Sequence, residues 1–224
     1  IMCRIDERIK NWEQQNRQDY DSAGKGSSAL GSALFRNLYA EVSYWNKESS
    51  GAILHDFVNF FDSLDIPTLI KQAIASCFPL LELSLALQQH LAPRVIQVAS
   101  FTGDPIPIYK SILAGCAHSV AFTRTYLIKD LKQIVIASTP EVITKVHVDD
   151  TAMISSHPDP AVMYNSLVPA ALSFYEAITK LKLKLSDKKG TGAIICSSET
   201  IAKIIQDQLK LHGINYSAEN HHGT

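Results

Sequence analysis

The sequence lacks a long apolar run, a paired-cysteine motif and an excess of charge, and each absence excludes a class of protein. The best apolar candidate, residues 73–91, is interrupted by Pro79, Glu82 and Gln88 before it reaches the roughly 18 residues of a membrane span. The four cysteines are scattered without a CxxC pair, which favours a reducing compartment and excludes a zinc knuckle. We therefore expect an intracellular protein, in cytoplasm or nucleus, that makes no membrane contact.

The net charge is only −1, from 21 basic and 22 acidic residues, so the average composition does not indicate a nucleic-acid binder. One local cluster departs from this average, because the stretch 178–189 holds five lysines and a single aspartate. Such a cluster is typical of a solvated helix end, and equally of a segment that follows a phosphate backbone. The chain begins IMCRIDERIK, without an initiator Met or a signal-peptide core, so we expect a piece of a longer product.

Apolar spacing and turn residues predict an α+β fold, with a mainly antiparallel sheet and helices packed on one face. The 224 residues, of which 46% are apolar, suffice for one large domain or two small ones. The predicted elements are a helical start over 1–20, a helix after the turn-rich 21–32, a strand at 51–57, helices at 62–76 and 79–90, a hairpin of 94–101 with 106–113 around Gly103-Asp104-Pro105, a helix from Gly115 to Ala137, a hairpin at 142–155, a helix at 160–182, a strand–turn–strand at 182–196, a helix at 198–211, and a polar tail with no closing element.

Three aspartates stand in apolar surroundings. Asp56 ends the strand GAILHDF, and Asp149 with Asp150 divides two β-branched runs. A carboxylate in such a position is costly to desolvate unless it is paired or binds a metal. Taken singly, Asp56 is typical of a helix cap and the Asp pair of an exposed turn. Taken together they suit Mg²⁺, which prefers oxygen ligands and takes one or two carboxylates with substrate phosphates.

Four segments resemble, in order, the palm motifs of reverse transcriptases. They are HDFVNFFDSLDIPTL (55–69), ILAGCAHSVAFTRTYL (112–127), VHVDDTAMIS (146–155) and LKLKLSDKKGTGAI (181–194). A fifth, AGKGSSALGSALFR (23–36), is similar to a finger segment of retroelements that lack long terminal repeats. The resemblance covers roughly residues 23–196. A lone Asp-Asp pair would be a weak signal, whereas four motifs in this order are a specific one.

The resemblance implies the fold and the reaction of an RNA-directed DNA polymerase from such a retroelement. Residues 1–50 would form mostly helical, partial fingers, and 51–224 a polymerase palm with a finger-like insertion around 91–113. A thumb would be absent, together with the rest of a larger retroelement polyprotein. The implied partners are an RNA template, a DNA primer and deoxynucleoside triphosphates (dNTPs), and the implied activity is nucleotidyl transfer onto the primer 3′-hydroxyl.

The resemblance also implies the catalytic residues. Asp56, Asp149 and Asp150 would bind two Mg²⁺ ions, with Mn²⁺ as a substitute, in a two-metal site for in-line phosphoryl transfer. Lys189, or Lys188 beside it, matches the lysine of the fourth motif and would protonate or stabilise the leaving pyrophosphate.

Four residues would face the incoming nucleotide. Phe61 stands where these enzymes place an aromatic steric gate that excludes a ribose 2′-hydroxyl; its position alone favours a core residue, and the motif register favours the gate. Gly115 is the glycine that allows close approach to the backbone. Ala114 stands where the family has glutamine, and Ser119 would line the same surface.

Three further residues would contact the nucleic acid. Lys25 and Lys188 would bind backbone phosphates, and His147, which stands in place of the aromatic residue before x-Asp-Asp, would meet the primer end. Two other functions stay open at this point. One is an RNA-dependent RNA polymerase, which would need a polar group in place of Phe61. The other is a degenerate, non-catalytic nucleic-acid-binding retroelement fragment or a structural α+β module.

Overall fold

Helices and strands alternate along the chain, and a computed structural model describes residues 2–24, 26–186 and 192–220. The helices of these residues are α1 (Met2–Gln15), α2 (Ala29–Trp45), α3 (Phe60–Ser63), α4 (Ile66–Ala75), α5 (Leu80–His90), α6 (Ser119–Ala137), α7 (Pro160–Lys180) and α8 (Glu199–Lys210). The strands are β1 (Ser49–His55), β2 (Gln97–Val98), β3 (Phe101–Thr102), β4 (Val142–His147), β5 (Asp150–His157), β6 (Ala193–Cys196) and β7 (Ser217–Asn220). No helix in this part of the chain is long and apolar enough to cross a membrane.

By packing, the chain divides into two compact units, each built from two stretches of sequence. Unit 1 comprises Ile1–Asn16 and Asn59–Lys129, and unit 2 comprises Arg17–Val58 and Asp130–Thr224. The boundary between fingers and palm that we expect at residue 50 is a functional division, and it stays a prediction.

Unit 2 is organised around a five-stranded sheet in the order β4-β5-β1-β6-β7. Each neighbouring pair is antiparallel except β6 with β7, which is parallel. The mainly antiparallel α+β architecture expected from the sequence is therefore confirmed.

The two faces of this sheet are covered differently. Gly51 and Ile53 face α7, because a Cβ added at Gly51 would lie 3.0 Å from the Met163 sulfur and 3.1 Å from a Leu167 methyl. Helix α7 packs on β1 and β5, and α8 packs on β6 and β7, so both helices cover this face. Since successive side chains alternate across a strand, Leu54 faces the other side, where α2 lies over β1, β4 and β5.

Capping residues explain where the helices begin. The Ser28 hydroxyl accepts the Gly31 N–H at the start of α2, and the Asp159 carboxylate accepts the Ala161 N–H at the start of α7. Asp65 caps α4 through the Thr68 N–H, with a proline in the first turn. The helix that we predicted at about 62–76, with Pro67 near its start, is therefore wrong only in its first residues: α3 ends at Ser63, and Asp65 begins α4.

Unit 1 packs α1 through one aromatic anchor. Trp12 is buried, its indole N–H donates to the Ser76 carbonyl (2.8 Å), and its ring meets Phe78 edge to face. The buried Arg124 guanidinium pairs with Glu13 at 2.7 Å. This burial holds an otherwise polar helix in place, since most helical stability in proteins comes from such packing.

The hairpin predicted between 94 and 113 forms with a different tip. Strands β2 and β3 are two residues each, and they meet at Ala99–Ser100 instead of Gly103-Asp104-Pro105. Ala99 takes a φ of 53°, and an isolated bridge joins Arg94 to Ile106. Residues 107–113 are not a strand. The register was missed because the turn rests on a non-glycine residue in the left-handed region, which sequence does not signal.

The predicted polar tail is also wrong, because β7 adds a parallel edge strand to β6. Tyr216, just before β7, is buried. Of the predicted strand–turn–strand at 182–196, the second strand is β6, whereas the first shows only an isolated bridge between Leu185 and Phe57. Residues 187–191 lie outside the described ones.

We predict that Gly192→Ala destabilises unit 2. A Cβ at Gly192 would overlap the buried Tyr216 ring, whose hydroxyl is hydrogen-bonded to His55 at 2.8 Å, so the ring must move. Overpacking of this kind costs about 1–3 kcal/mol. Urea unfolding measures the loss. The control Gly103→Ala makes only ordinary contact, at 3.5 Å from the Ile96 carbonyl oxygen, and an equal effect of both variants would contradict the prediction.

Candidate active site

Strand pairing brings three aspartates to one end of the sheet in unit 2. His55, the last residue of β1, pairs with Thr151 of β5, so Asp56 follows at the level of Asp150. Asp150 in turn pairs with His147 across the β4–β5 hairpin, and Asp149 lies in the turn between them. Although 93 positions separate Asp56 from Asp149 (149 − 56), the sheet places them at the same edge.

The turn that carries Asp149 is tight and strained. Val148 and Asp149 alone connect β4 to β5, and Val148 takes a φ of 60°. A β-branched residue rarely adopts this left-handed conformation, and such strain costs on the order of 1–3 kcal/mol. It persists only where surrounding structure holds the backbone, and strain of this kind clusters at functional sites.

The segment around Ser22 supplies that support. The Val146 N–H donates to the Tyr20 carbonyl and the Ser22 N–H to the Val146 carbonyl, both at 2.7 Å. The His147 ring donates from Nδ1 to the Ser22 carbonyl at 3.0 Å. These bonds hold the end of β4 on its outer side, and they orient the imidazole that we expect at the primer end.

Burial and two acidic neighbours disfavour the charged form of Asp150. Loss of solvent raises the pKa of Asp150, and the carboxylates of Asp149 and Asp56 raise it further. His147 and Arg36 oppose this rise with smaller effects. Folding therefore concentrates negative charge here at the expense of stability, which is typical of a site that binds a cation or a cationic group.

The donor chemistry of this cluster fits Mg²⁺, because its ligating atoms are carboxylate oxygens. Among the residues that the structure describes, no group of three His, Cys, Asp or Glu side chains is assembled closely enough to hold a metal ion. Magnesium sites of polymerases commonly use one or two carboxylates and are completed by substrate phosphates. The metal assignment of Asp56, Asp149 and Asp150 accordingly stays a prediction.

A groove runs beside Asp150 between α2 and the sheet. Its larger cavity, of about 340 Å³, is lined by Arg36 of α2 and by Lys145, His147 and Asp150 of the hairpin. A second cavity of about 230 Å³ shares Lys145 with it and continues along the serine-rich start of α2. The groove thus presents two cations and several hydroxyls next to the acidic cluster.

Arg36 and Lys145 were not predicted from the sequence. Lys145 could have been found from the sequence. It stands two residues before His147 on β4, and side chains two positions apart lie on the same face of a strand. Its ammonium donates to the Asp19 carbonyl at 2.8 Å and lies 5.2 Å from the centre of the Phe35 ring. Arg36 carries no comparable signal, since only the packing of α2 brings it to the groove.

A buried polar pair, His55 and Tyr216, lies beside Asp56. His55 is buried, its Nδ1 is hydrogen-bonded to the Tyr216 hydroxyl at 2.8 Å, and its ring packs on Phe174. Burial lowers the pKa of His55 to about 3, so the imidazole is neutral. Burial also raises the pKa of Tyr216, with Asp56 and Tyr175 as further causes. The sequence hides this pair, because its members lie 161 positions apart.

The predicted nucleotide-facing residues lie in unit 1. Phe61 is half-buried in α3, and its ring meets Phe60 edge to face at 5.6 Å. Ala114 and Gly115 are exposed in a turn, where Gly115 takes a φ of +79° with open space at its missing Cβ. This backbone conformation favours a glycine, and its exposed surface suits a close-lying ligand.

Ser119 is placed differently from the other three. It is buried at the start of α6, and its hydroxyl donates to the Cys116 carbonyl at 2.7 Å. In this structure the hydroxyl therefore closes the turn before α6. The remaining predicted contacts, Lys25, Lys188 and Lys189, lie outside the described residues.

We predict that Asp150→Asn raises the free energy of unfolding near neutral pH. The folded pKa of Asp150 lies above its ordinary value of 3.8, so burial, together with repulsion by Asp149 and Asp56, destabilises the native state as pH rises through that value, and not below it. Urea unfolding without divalent ions, at about pH 7 and about pH 3, should show a gain only at the higher pH. The control is Asp207→Asn, on the exposed face of α8. A loss of stability at neutral pH would contradict the prediction.

Comparison with solved structures shows which fold this is. The chain is similar to telomerase from Candida tropicalis in complex with a fragment of telomeric RNA, with a TM-score of 0.61 and 11% identity over 87% of this chain and 33% of that one. It is similar to Candida albicans telomerase in the same kind of complex, with a TM-score of 0.58 and 10% identity over 89% of this chain and 35% of that one.

Sequence comparison adds nothing to this likeness, since no family model and no curated protein matches the chain. The chain spans about a third of the length of the two telomerase chains. At such low identity the likeness concerns the fold alone. The chain is therefore similar in fold to the palm and fingers of telomerase, with the mostly antiparallel sheet and packed helices that the sequence predicts.

Proposed function

We propose that this chain is the palm and partial fingers of an RNA-directed DNA polymerase from a retroelement that lacks long terminal repeats. The observation that carries the proposal is the convergence of Asp56, Asp149 and Asp150 at one sheet edge of a reverse-transcriptase-like fold. Motif order in the sequence supports it independently. The rest of a larger polyprotein would supply the parts that a palm does not contain.

The reaction would join a dNTP to a primer on an RNA template. The primer 3′-oxygen forms a bond to the α-phosphorus, the bond to pyrophosphate breaks, and the hydroxyl proton passes to water. Two Mg²⁺ ions, or Mn²⁺ in their place, would polarise the phosphate and stabilise both the attacking and the leaving oxygen. The three aspartates would hold these ions. The attraction between each carboxylate and the metal would then outweigh the repulsion among the carboxylates.

The groove beside Asp150 suits the nucleic-acid backbone. Arg36 and Lys145 both present positive charge to it, and phosphate contacts of this kind bind without reading sequence. His147, which the Ser22 carbonyl orients, would meet the primer end. Lys25 and Lys188 would extend the phosphate contacts, and Lys189 would act on the pyrophosphate.

Unit 1 would supply nucleotide selection. Phe61 would block a ribose 2′-hydroxyl, and the exposed backbone at Ala114–Gly115 would let the nucleotide approach closely. Ser119 would contribute through the shape of this turn, since its hydroxyl bonds to Cys116.

We predict that Asp149→Asn abolishes synthesis. Loss of one charge from the metal-binding set should lower single-nucleotide incorporation on an RNA template by at least about 10²-fold, the usual effect of removing one such electrostatic contact. Gel analysis of extended primers in Mg²⁺ measures it, with Asp207→Asn as the control that keeps its activity.

The unaltered chain decides between the proposal and its alternatives. No Mg²⁺-dependent incorporation by the unaltered chain would contradict the proposal. If, in addition, the chain bound Mg²⁺ no more tightly than Asp149→Asn does, by calorimetry, a non-catalytic nucleic-acid-binding fragment would be favoured.

We predict that Phe61→Ala relaxes discrimination against ribonucleotides. Removing the ring opens space for a 2′-hydroxyl, so the preference for dNTPs, as a ratio of kcat/KM values, should fall by about tenfold or more. Phe101→Ala is the control, because that ring is 81% exposed on the β2–β3 hairpin. Unchanged discrimination would remove Phe61 from the gate, and a preference for ribonucleotides in the unaltered chain would favour an RNA polymerase.

A further inference from the structure

Within unit 1, residues 111–113 are hydrogen-bonded to the region of α3 and lead directly into the turn at Gly115. Both α3 and this turn would contact the nucleotide. Residues 111–113 lie between α3, which carries Phe61, and the turn at Gly115. Three successive N–H groups tie this segment down: Ser111 donates to the Leu64 carbonyl and Ile112 to the Phe61 carbonyl, both at 3.0 Å. The third, from Leu113, donates to a side chain, His90 Nδ1, at 2.7 Å.

The start of the segment is held in an unfavourable conformation. Ser111 is buried and takes a φ of 100°, which a residue other than glycine rarely adopts. Its hydroxyl donates to Asp62 at 3.1 Å and accepts from the Arg94 guanidinium at 3.2 Å. Several bonds thus hold one strained residue, and strain retained in this way points to a requirement on local geometry.

His90 closes the other end of the segment. Its side chain is fully buried at the end of α5, and its ring meets Phe122 at 5.4 Å. Burial lowers the pKa of His90, and the neighbouring charges of His118 and Arg94 lower it further. The ring is therefore neutral, and Nδ1 is free of hydrogen because it accepts the Leu113 N–H.

The bond from the Leu113 N–H to His90 Nδ1 holds the backbone two residues before Gly115. The Leu113 N–H has no carbonyl partner of the kind that Ser111 and Ile112 have, so its position depends on the imidazole. Ile112, between the two ends, is buried and fixes the segment against the core of unit 1. Phe61 and the Gly115 turn are consequently held at a set spacing through a few hydrogen bonds.

We infer that His90 is a positioning residue for nucleotide selection: its Nδ1 holds residues 111–113 and thereby sets the placement of the Gly115 turn relative to Phe61. The inference rests on the function proposed above. It concerns a fully buried side chain that stands in none of the segments resembling the reverse transcriptase motifs.

Two substitutions of His90 separate this role from mere filling of the core. In His90→Asn the amide oxygen lies near the place of Nδ1 and accepts the Leu113 N–H. In His90→Gln the amide reaches the place of Nε2, and the Leu113 N–H loses its acceptor. A buried donor without a partner carries a substantial penalty, so only the glutamine variant should loosen the segment.

The experiment combines amide hydrogen exchange with nucleotide incorporation by the 224-residue chain. For His90→Gln we expect exchange at Leu113 to accelerate about tenfold or more, KM for dNTP to rise by a similar factor, and ribonucleotide discrimination to fall, with a smaller change in kcat. His90→Asn should stay within about threefold of the unaltered chain in each measurement.

A second variant serves if His90→Gln does not fold. Asp62 is exposed, and Asp62→Ala removes the nearer acceptor of the Ser111 hydroxyl from the solvent side, leaving the Ile112 carbonyl at 3.3 Å. We expect the same direction of change in KM and discrimination, by a smaller factor. Unchanged KM and discrimination in that variant would overturn the inference.

The outcomes distinguish the inference from the function beneath it. An active chain whose His90→Gln variant keeps KM, discrimination and Leu113 protection overturns the inference alone. Equal losses in His90→Gln and His90→Asn overturn it as well, because the position of the acceptor then does not matter. An unaltered chain that incorporates no nucleotide overturns the proposed function, and with it the positioning role.

Discussion

The pairing register of β1 with β5 is the constraint on which the candidate site depends. Ile53 lies opposite Met153, and both are fully buried on the face that α7 covers. A slip of one residue would turn this apolar set to the other face, so burial specifies the register strongly. With Ile53 and Met153 paired, Asp56 and Asp150 necessarily meet at the end of the ladder. Packing of the hydrophobic core thus brings the aspartates together, although none of them is part of that core.

The acidic cluster destabilises the fold that creates it, and the neighbouring structure compensates. Asp149 follows a residue with strained backbone, and Asp150 is repelled by two carboxylates. The bonds from Tyr20, Ser22 and His147 hold one side of the hairpin, and the buried pair of His55 and Tyr216 lies beneath β1. A preorganised cation site requires that rigid surrounding structure hold mutually repelling carboxylates in place, and this arrangement provides it.

Local sequence predicted most elements, and its errors have different causes. Helices α2, α6, α7 and α8 and strands β1, β4, β5 and β6 follow from apolar period, caps and turn residues within a few neighbours. The tip of the β2–β3 hairpin depends on Ala99 at positive φ, and β7 depends on β6 as a pairing partner. The break between α3 and α4 was legible in principle, since Asp65 and the following proline mark a helix start.

The amino-acid sequence alone determined that Asp56, Asp149 and Asp150 stand in apolar runs, and that these runs follow one another in the order of a reverse-transcriptase-like palm. Those properties depend on residue type and spacing, which the chain carries before it folds. Only the tertiary structure decided that Arg36 and Lys145 share a groove with Asp150, that Tyr216 reaches His55, and that His90 holds Leu113. Each of these contacts joins elements from distant parts of the chain, and burial of side chains in a common core, not any local preference, brings them together.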